Sequence, residues 1–328
     1  MDVVVTGAAG RIGSAAVDLL LRQGHAVRSL DVVGGAELDR QAALGASVVV
    51  GGLEPALLAD VCAGADAVVH SGAVLVSHGR DHEAILQPNF MGTYRLLSAV
   101  REHAPALRRF VLLSSDAVYW PTPAHREHTE ATTEDHPRRA GTIYGATKVG
   151  AEQLCHAFRH SYGVPTAVAR PTSTAVAREL VDPTSMFGRR WFVGGARSWW
   201  ARTGLTESAR STAAYLDEAG AADEDLFVVV DAEGRSATAM IADARDVAAG
   251  VVKMLDDEAA TGAVVNLGSV PYVEADLVDH LAARLGRTVH RVPAPSVASW
   301  HLSNERSASL FGYQPRWDIV AMVDDALR

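Results

Sequence analysis

The sequence has few of the residues and segments that mark secreted, membrane or nucleic-acid-binding proteins. Only two of its 328 residues are cysteines, too few for a disulfide framework or a cysteine-based zinc site. No apolar run approaches the ~20 residues that a membrane-spanning helix requires, and the N-terminus carries no signal-peptide pattern. The formal net charge is −9 with no basic cluster to offset it, which argues against nucleic-acid binding. We therefore expect a cytoplasmic globular protein with no membrane or nucleic-acid partner.

Metal-binding spacings are also missing. The chain has 13 histidines, among them His125, His128 and His136 in one polar loop. Their spacing matches no ligand pattern. We interpret them as exposed loop residues and predict no metal site.

The most informative pattern lies at the start of the chain. Residues 2–6 are an apolar run that predicts a strand, residues 14–23 are amphipathic and predict a helix, and residues 25–30 predict a second strand. A glycine turn at residues 7–13 (GAAGRIG) joins the first strand to the helix, and Asp31 follows the second strand. Strand, glycine turn, helix, strand and acid occur in the order of a dinucleotide-binding βαβ unit.

Each glycine of the turn has a physical role in such a unit. Gly7 allows a sharp exit from the strand, and Gly10 allows the backbone to approach a pyrophosphate. Gly13 allows the helix to pack closely on the strand, and the helix N-terminus would hold the phosphates. Asp31 would accept a hydrogen bond from a ribose 2′-hydroxyl and would repel a 2′-phosphate. The turn therefore predicts NAD rather than NADP.

Short strands continue to alternate with helices as far as Pro171. Further strands are predicted at residues 47–50, 66–70, 109–113 and 165–170. Because parallel strands need crossover helices, the alternation predicts an α/β fold, a doubly wound (Rossmann) parallel sheet in residues 1–171. The rhythm changes after Pro171. Residues 172–328 are expected to form mainly a smaller substrate-binding lobe, with some segments, about residues 226–267, returning to the sheet.

Four groups of residues carry a resemblance that covers most of the chain. They are residues 6–13 (TGAAGRIG), 70–73 (HSGA), 89–93 (NFMGT), and the pair 114–119 (SSDAVY) and 144–148 (YGATK). On these motifs the chain resembles the extended short-chain dehydrogenase/reductases of the NAD-dependent epimerase/dehydratase family. The resemblance implies a small-molecule carbohydrate substrate. It also implies a homodimer built on the helices that contain Glu83 and Tyr144.

Ser115, Tyr144 and Lys148 are the predicted catalytic residues. Tyr144 and Lys148 are four positions apart in a predicted helix and therefore share one face. The charges of Lys148 and of the nicotinamide ring would lower the pKa of Tyr144 towards neutrality. Tyr144 could then take a proton from a substrate hydroxyl as hydride leaves the same carbon. Ser115 would hold that oxygen by a hydrogen bond.

The other predicted site residues follow from the glycine turn, the resemblance and the charged residues of the later half. The expected cofactor-binding residues are Gly7, Gly10, Arg11, Ile12, Gly13, Asp31, Leu53, Ser71, Gly72, Ala73, Asn89, Tyr144, Lys148 and Pro171. The expected substrate-binding residues are Ser115, Asp116, His78, Arg178 and Arg190. Two alternatives stay open: Asn89 as a polar helix residue that bonds its own backbone, and Asp116 as a structural or surface acid.

The chain departs from the family pattern at two positions that affect the chemistry. Gly52 stands where family members usually carry an aspartate that contacts the adenine, so backbone contacts of Leu53 or water would substitute. Ala117 stands where sugar-nucleotide 4,6-dehydratases place a glutamate beside the acid that matches Asp116. Because elimination of water needs an acid and a base, a complete dehydratase is disfavoured.

Aromatic residues and arginines cluster at residues 187–200. Such a cluster could clamp a carboxylate or a diphosphate and stack on a base or sugar ring. Aromatic residues in a small lobe are more often part of its core, and we prefer that interpretation.

The predicted function is that of an enzyme, an NAD-dependent sugar or nucleotide-sugar epimerase that works through a keto intermediate. One alternative is an NAD-dependent dehydrogenase of a free sugar or sugar acid, since no uridine-diphosphate-binding pattern is recognisable in the later half. A more distant alternative is a non-catalytic protein that senses NAD and NADH.

Overall fold

The computed structural model describes residues 1–75, 82–119 and 130–328. Its strands are β1 (Asp2–Thr6), β2 (Ala26–Asp31), β3 (Ser47–Val50), β4 (Ala67–His70), β5 (Arg109–Leu113), β6 (Thr166–Pro171), β7 (Thr174–Ala175), β8 (Leu226–Val230), β9 (Thr238–Ala239), β10 (Ala242–Asp243), β11 (Val264–Leu267), β12 (Tyr272–Val273) and β13 (Val289–Pro293). Its α-helices are α1 (Arg11–Arg22), α2 (Ala36–Ala43), α3 (Pro55–Cys62), α4 (Glu83–Leu86), α5 (Gly92–His103), α6 (Ile143–Tyr162), α7 (Arg178–Val181), α8 (Val193–Thr203), α9 (Glu207–Glu218), α10 (Ala244–Asp256), α11 (Glu274–Leu285), α12 (Glu305–Phe311) and α13 (Ile319–Ala326). A π-helical turn, Gln87–Met91, joins α4 to α5. It contains Pro88, which has no amide hydrogen to donate to a regular α-helical ladder.

Seven parallel strands form the central sheet, in the order β11-β6-β5-β4-β1-β2-β3. In this sheet Val3 of β1 pairs with Val27 on one side and with Ala67 on the other. The direction of winding reverses between β1 and β4, and doubly wound sheets bind ligands at the carboxyl ends of the strands at such a point. The predicted doubly wound α/β fold is confirmed.

Apolar side chains alternate between the two faces of the sheet and form a core on each face. Val3 and Val5 of β1 lie in the core on the side of α1 and α10. Val4 lies in the opposite core with Leu97 of α5 and Phe158 of α6. Strands that are buried on both faces are continuous apolar runs in the sequence, which is why the sequence predicts them well. Within the described ranges, no helix is both long and apolar enough to cross a bilayer.

The C-terminal half contributes to the sheet as well as to a lobe of its own. Helix α10 packs on α1, and β11 pairs with β6, with Val265 opposite Ala169. By contrast, β8 pairs with β13 in a separate two-stranded parallel sheet. Of the region predicted to return to the sheet, the structure thus places β11 in it and β8 in the lobe. The reason is that Leu226 and Val228 of β8 are buried with Trp191 in the lobe's core.

Candidate active site

The loop between β1 and α1 packs so closely against the loop after β4 that side chains are excluded. Gly7 has a φ of +67°, and a Cβ on it would lie 2.5 Å from the Gly72 Cα. A Cβ on Gly13 would lie 2.0 Å from the carbonyl oxygen of Gly7. Gly10 precedes α1 and provides no side-chain cap, so the first amides of that helix stay available to an acceptor. These residues form a cradle that fits a pyrophosphate.

Asp31 ends β2 beside the same cradle. Its Oδ2 accepts a hydrogen bond from the Ala9 amide at 2.9 Å, and its Oδ1 accepts one from the Val33 amide at 3.0 Å. Each carboxylate oxygen keeps a second lone pair. A ribose next to the cradle would therefore meet an acceptor, whereas a 2′-phosphate would meet a negative charge.

The side chain of Arg11 joins α1 to the C-terminal lobe. Its Nε and Nη2 donate to the two carboxylate oxygens of Glu179 in α7, at 2.6 and 2.5 Å. Its guanidinium carbon lies 5.6 Å from the centroid of the Phe187 ring. Ile12, the next residue, packs against the core on the α1 side of the sheet. Arg11 and Ile12 form the first turn of α1, so their backbone amides face the cradle. Their side chains point elsewhere: Arg11 binds Glu179, and Ile12 packs in the core.

A carboxylate covers Gly52 after β3, although this position has no side chain of its own. A Cβ on Gly52 would lie 2.6 and 2.8 Å from the two carboxylate oxygens of Glu54. Glu54 thus occupies the space that an aspartate at position 52 would use. A comparison of motifs does not identify Glu54, because it lies two positions after the place where the family carries its aspartate. The side chain of Leu53 turns the other way, and a Cβ on Gly92 would lie 2.6 Å from its Cδ1.

Hydrogen bonds to β1 hold the segment at residues 71–73, which contains three of the predicted cofactor-binding residues. Ser71 Oγ donates to the Thr6 carbonyl at 2.7 Å. In the preceding residue, His70 Nδ1 lies 2.7 Å from the Thr6 hydroxyl. Burial, and then the charge of Lys148, lowers the pKa of His70 to about 3. The imidazole is therefore neutral near pH 7, and its two ring nitrogens are hydrogen-bonded to the hydroxyls of Thr6 and Thr93.

Asn89 lies buried in the π-helical turn. Its Oδ1 accepts from the Val74 amide at 2.8 Å, and its Nδ2 donates to the Val74 carbonyl at 2.9 Å. The same Nδ2 lies 3.2 Å from the Thr147 hydroxyl on α6. The amide therefore binds two other elements rather than its own backbone, and it ties the loop after β4 to α6.

Three of the predicted residues meet where β5 ends beside α6. The Ser115 side chain lies close enough to the Tyr144 hydroxyl to lower the pKa of the phenol. Lys148 is buried, and its Nζ donates to the Leu113 carbonyl at 2.7 Å and lies 5.7 Å from the centroid of the Tyr144 ring. Burial lowers the pKa of Lys148 to about 8. The structure therefore brings together the hydroxyl, the phenol and the ammonium that the sequence predicts.

The surroundings of Tyr144 act against ionisation of the phenol. Burial raises its pKa above the ordinary value, and the nearby Asp116 carboxylate raises it further, while the Ser115 side chain lowers it. The expected lowering by Lys148 and a nicotinamide ring has to exceed these two effects.

Asp116 lies directly beside the predicted catalytic residues. Its Oδ1 accepts from the Ser115 hydroxyl at 2.9 Å, and its Oδ2 accepts from the Thr172 hydroxyl at 3.2 Å. Burial raises the pKa of Asp116 to about 6, although these hydrogen bonds oppose the change. Thr172 follows Pro171, the last residue of β6, which pairs with Leu267. Asp116 is thus a partly buried acid in contact with Ser115, not an isolated surface residue.

The other predicted substrate residues lie elsewhere or outside the described chain. Arg178 is exposed at the start of α7. Arg190 is exposed, and its guanidinium carbon lies 5.4 Å from the centroid of the Phe187 ring. In the described ranges, neither arginine is hydrogen-bonded to Ser115. His78 lies outside the described residues.

The aromatic and arginine cluster at residues 187–200 is largely the core of the lobe. Phe187 is fully buried and Trp191 is 2% exposed. Arg197 is bound at the surface by Asp217 at 2.7 Å and by Asp223 at 2.9 Å. These contacts leave few of its members available to clamp a nucleotide.

Metal coordination is not indicated by the described part of the chain. Among the described residues, there is no group of three or more His, Cys, Asp or Glu side chains that could hold a metal ion. His125 and His128 lie outside the described residues.

Comparison with known proteins gives a consistent set of relatives. A family model described as the NAD dependent epimerase/dehydratase family matches residues 3–187. A short-chain dehydrogenase/reductase superfamily protein from Agrobacterium tumefaciens, solved with bound NAD, is 31% identical with a TM-score of 0.87, over 100% of this chain and 96% of that one. UDP-glucuronic acid 4-epimerase from Bacillus cereus, solved with UDP-glucuronic acid and NAD, is 20% identical with a TM-score of 0.76, over 100% and 99%. The latter similarity shows a common fold.

A further relative covers only the N-terminal part. dTDP-glucose 4,6-dehydratase from Mycolicibacterium smegmatis (strain ATCC 700084 / mc(2)155) is 32% identical over 177 residues, 52% of this chain and 52% of that protein. The chain therefore spans about half the length of the curated relatives it matches.

Proposed function

The chain belongs to the NAD-dependent epimerase/dehydratase family, and from that premise we propose that it oxidises a carbohydrate hydroxyl with NAD. The reaction that we favour is epimerisation of a sugar or nucleotide sugar through a keto intermediate. The observation that carries the proposal is the placement of Ser115 and of the buried Lys148 ammonium beside Tyr144: Ser115 lowers the pKa of the phenol, and Lys148 Nζ lies 5.7 Å from the centroid of its ring. This group contains a base, a hydroxyl that can bind the reacting oxygen, and a cation.

The cofactor would lie along the carboxyl edge of the sheet. The cradle at residues 7–13 would hold the pyrophosphate, Asp31 a ribose hydroxyl, and Lys148 the nicotinamide ribose. The Glu54 carboxylate offers an acceptor to the amine of the adenine. When bound, NAD accepts the hydride from the carbinol carbon.

Tyr144 acts as the base that takes the proton of the substrate hydroxyl. Burial and Asp116 keep the phenol protonated, so the base forms only when enough positive charge is close. The Lys148 ammonium and the charge of an oxidised nicotinamide favour the phenolate. Proton removal is therefore coupled to assembly of the complete site.

Ser115 holds the reacting oxygen. Its hydroxyl donates to Asp116 at 2.9 Å and accepts from the Ala117 amide at 3.1 Å. Rotation of the hydroxyl proton from Asp116 towards a substrate oxygen needs no backbone movement. Asp116, with a pKa of about 6, can adjust its protonation to that change.

Epimerisation needs only these groups, whereas dehydration needs more. For epimerisation the keto sugar would turn in the site so that its other face meets the cofactor, which would supply the hydride, and Tyr144 would give its proton back to the oxygen. Dehydration would require a second acid or base next to Asp116, and Ala117 supplies none.

The second candidate is an NAD-dependent dehydrogenase of a free sugar or sugar acid. The observation that favours it is the burial of Phe187 and Trp191 in the lobe's core, together with the ion pairs of Arg197. These residues cannot at the same time stack on a base and clamp a diphosphate. A substrate without a nucleotide has no base or diphosphate, so it would not need these contacts.

The test is a screen of sugars, sugar acids and nucleotide sugars with NAD. Absorbance of NADH is followed, and the products are identified by NMR. A new stereoisomer without net NADH supports the epimerase, and accumulated NADH supports the dehydrogenase. If no carbohydrate gives either product, the proposed function is wrong.

A Tyr144→Phe variant separates catalysis from cofactor binding. Because it removes only the hydroxyl, we expect turnover to fall at least ~100-fold, while the dissociation constant for NAD, measured by calorimetry, changes little. Tyr215→Phe, on α9, is the matched control. Full turnover in the Tyr144 variant would exclude the phenol as base, and unchanged cellular function with retained NAD binding would support the sensor.

A further inference from the structure

Lysine is nearly absent from this protein. Of its 30 lysine and arginine residues, only Lys148 and Lys253 are lysines. Lys253 is exposed on α10, and its Nζ donates to the Gly312 carbonyl at 2.7 Å. A lysine-specific NMR measurement can therefore follow the charge of Lys148, with the exposed Lys253 as its internal reference.

Glu152 lies one helical turn after Lys148 and is buried. Its Oε1 accepts from the Ser114 hydroxyl at 2.6 Å. Both carboxylate oxygens bind the guanidinium of Arg170 on β6, at 2.8 and 2.6 Å. In this pair the side chains are only 3% and 4% exposed. A bidentate pair of this kind fixes the carboxylate in position.

The same carboxylate joins three elements of the active site. Ser114 adjoins Ser115 at the end of β5, Lys148 lies on α6, and Arg170 lies on β6. Glu152 therefore connects the strand end that carries the hydroxyl with the helix that carries the ammonium. A displacement of its carboxylate would therefore change the positions of both Ser115 and Lys148.

The titratable and charged groups that face Lys148 come from every element packed around it. They are His70 on β4, Tyr144, Glu152 and Cys155 on α6, and, behind Glu152, Arg170 on β6 and Arg138. His70 is neutral near pH 7, and burial raises the pKa of the Cys155 thiol, so it is neutral as well. In this described set, Glu152 is the group that brings negative charge to Lys148.

We propose that Glu152 is a positioning residue of the active site, which keeps Lys148 charged and fastens the Ser114–Ser115 strand end to α6. The proposal rests on the role given to Lys148 in the proposed function. It assigns Arg170 the opposing role, because its positive charge offsets part of the negative charge that Glu152 presents.

Two substitutions should therefore shift Lys148 in opposite directions. Glu152→Gln removes the negative charge and leaves Arg170 behind it, so the ammonium is less favoured and the pKa of Lys148 falls below about 8. Arg170→Gln removes a positive charge that offsets part of the negative charge of Glu152, so the pKa of Lys148 rises. Because Glu152 is one helical turn from Lys148, its removal should shift the pKa of Lys148 by about one pH unit, and removal of Arg170, which lies behind Glu152, should give a smaller shift of opposite sign. A loss of packing alone gives no such opposite pair.

The shifts are measured by NMR on protein with isotope-labelled lysine side chains, titrated between about pH 6 and pH 11. Two ε signals are expected, and the Lys148→Arg variant assigns them. In Glu152→Gln the Lys148 signal should titrate earlier, in Arg170→Gln later, and in both the Lys253 signal should stay unchanged. A Lys148 titration that stays in place in Glu152→Gln, or moves in the same direction in both variants, would overturn the proposal.

Circular dichroism and thermal unfolding check that each variant is folded. Glu152→Asp keeps the charge and shortens the side chain, so it should keep the Lys148 titration within about half a pH unit of the parent even if stability falls. Glu102→Gln, on the exposed end of α5, is the matched surface control. If Glu152→Gln does not fold, the comparison of Glu152→Asp with Arg170→Gln still decides, since only the latter should move Lys148.

The pH dependence of turnover gives a second measurement. Activity that needs charged Lys148 is lost as pH rises through its pKa, so the alkaline limb should move to lower pH in Glu152→Gln. The two hypotheses fail separately. Opposite NMR shifts in a protein that turns over no carbohydrate would overturn the proposed function alone, whereas an active enzyme with an unmoved Lys148 would overturn the role of Glu152 alone.

Discussion

The missing side chain of Gly13 determines how closely α1 can approach β1. A Cβ there would lie 2.0 Å from the Gly7 carbonyl oxygen, a backbone atom that cannot move aside without displacing the cradle. We therefore expect Gly13→Ala to reduce the free energy of unfolding by ~2 kcal/mol or more and to weaken NAD binding at least ~10-fold. Urea denaturation and calorimetry measure the two effects.

A glycine without such crowding provides the control for Gly13. At Gly34 a Cβ would meet Val50 at 3.5 Å, an ordinary contact. Gly34→Ala should leave stability within about 0.5 kcal/mol of the parent. Equal losses at the two positions would show that close packing at Gly13 is not the cause.

Ionisation of Asp116 should oppose folding at neutral pH. Its pKa is about 6 in the folded protein, above the ordinary 3.8, so the folded state binds more protons than the unfolded state between these values, and stability falls as pH rises. Asp116→Asn removes this effect. The variant's gain in stability should be about 1 kcal/mol larger at pH 8 than at pH 5. Urea denaturation at both pH values measures it, and an equal gain would exclude ionisation as the cause.

The sequence could predict the three residues whose chemistry demands fixed spacing. Tyr144 and Lys148 share one helix face and Ser115 closely follows a recognisable strand, and the structure brings them together. Glu152 and Arg170 were not predicted, because neither belongs to a local pattern. Their pairing depends on how α6 packs on β6, which no spacing within one element reveals.

Among the elements, α1 and α7 are joined by the side-chain pair of Arg11 and Glu179. The pair is bidentate, and its side chains are 29% and 17% exposed. In a double-mutant cycle of Arg11→Gln and Glu179→Gln we expect a coupling energy of ~1 kcal/mol, measured by thermal unfolding. The more exposed pair of Arg291 and Asp279, each 49% exposed, should give a smaller value. A coupling no larger than in this control would mean that the bridge does not fasten the lobe.

The elements of the sheet could be predicted more completely than those of the lobe. Sheet strands buried on both faces are apolar runs with helices between them, and β1, β4, β5 and β6 are of this kind. The lobe instead contains strands of two residues, such as β7, β9 and β12. Two residues show no periodicity, so their pairing depends on tertiary contacts.

For the molecule as a whole, a homodimer remains our prediction. Tyr94 on α5 is 44% exposed and Tyr162 on α6 is 53% exposed, and both rings contact Phe158 between them. This aromatic surface suits a seam between two copies of α5 and α6. Sedimentation equilibrium should give twice the chain mass of 34.7 kDa.

A charged substitution in that seam tests the dimer. Tyr94→Asp should give a monomer, since it places a carboxylate in an apolar contact. Tyr215→Asp, at a 37% exposed position on α9, should leave the mass unchanged. A parent protein that sediments as a monomer would contradict the prediction directly.

The position of β11 has a consequence for synthesis on the ribosome. Val264 and Val265 cover Val168 and Ala169 at the edge of β6, but they are translated only after most of the lobe. Until they emerge, the nascent chain carries an apolar strand with an unpaired edge, which is prone to pair with other chains. Translation of the lobe is therefore a condition for closing the sheet, and a chain that stops before β11 should aggregate rather than fold as an independent nucleotide-binding unit.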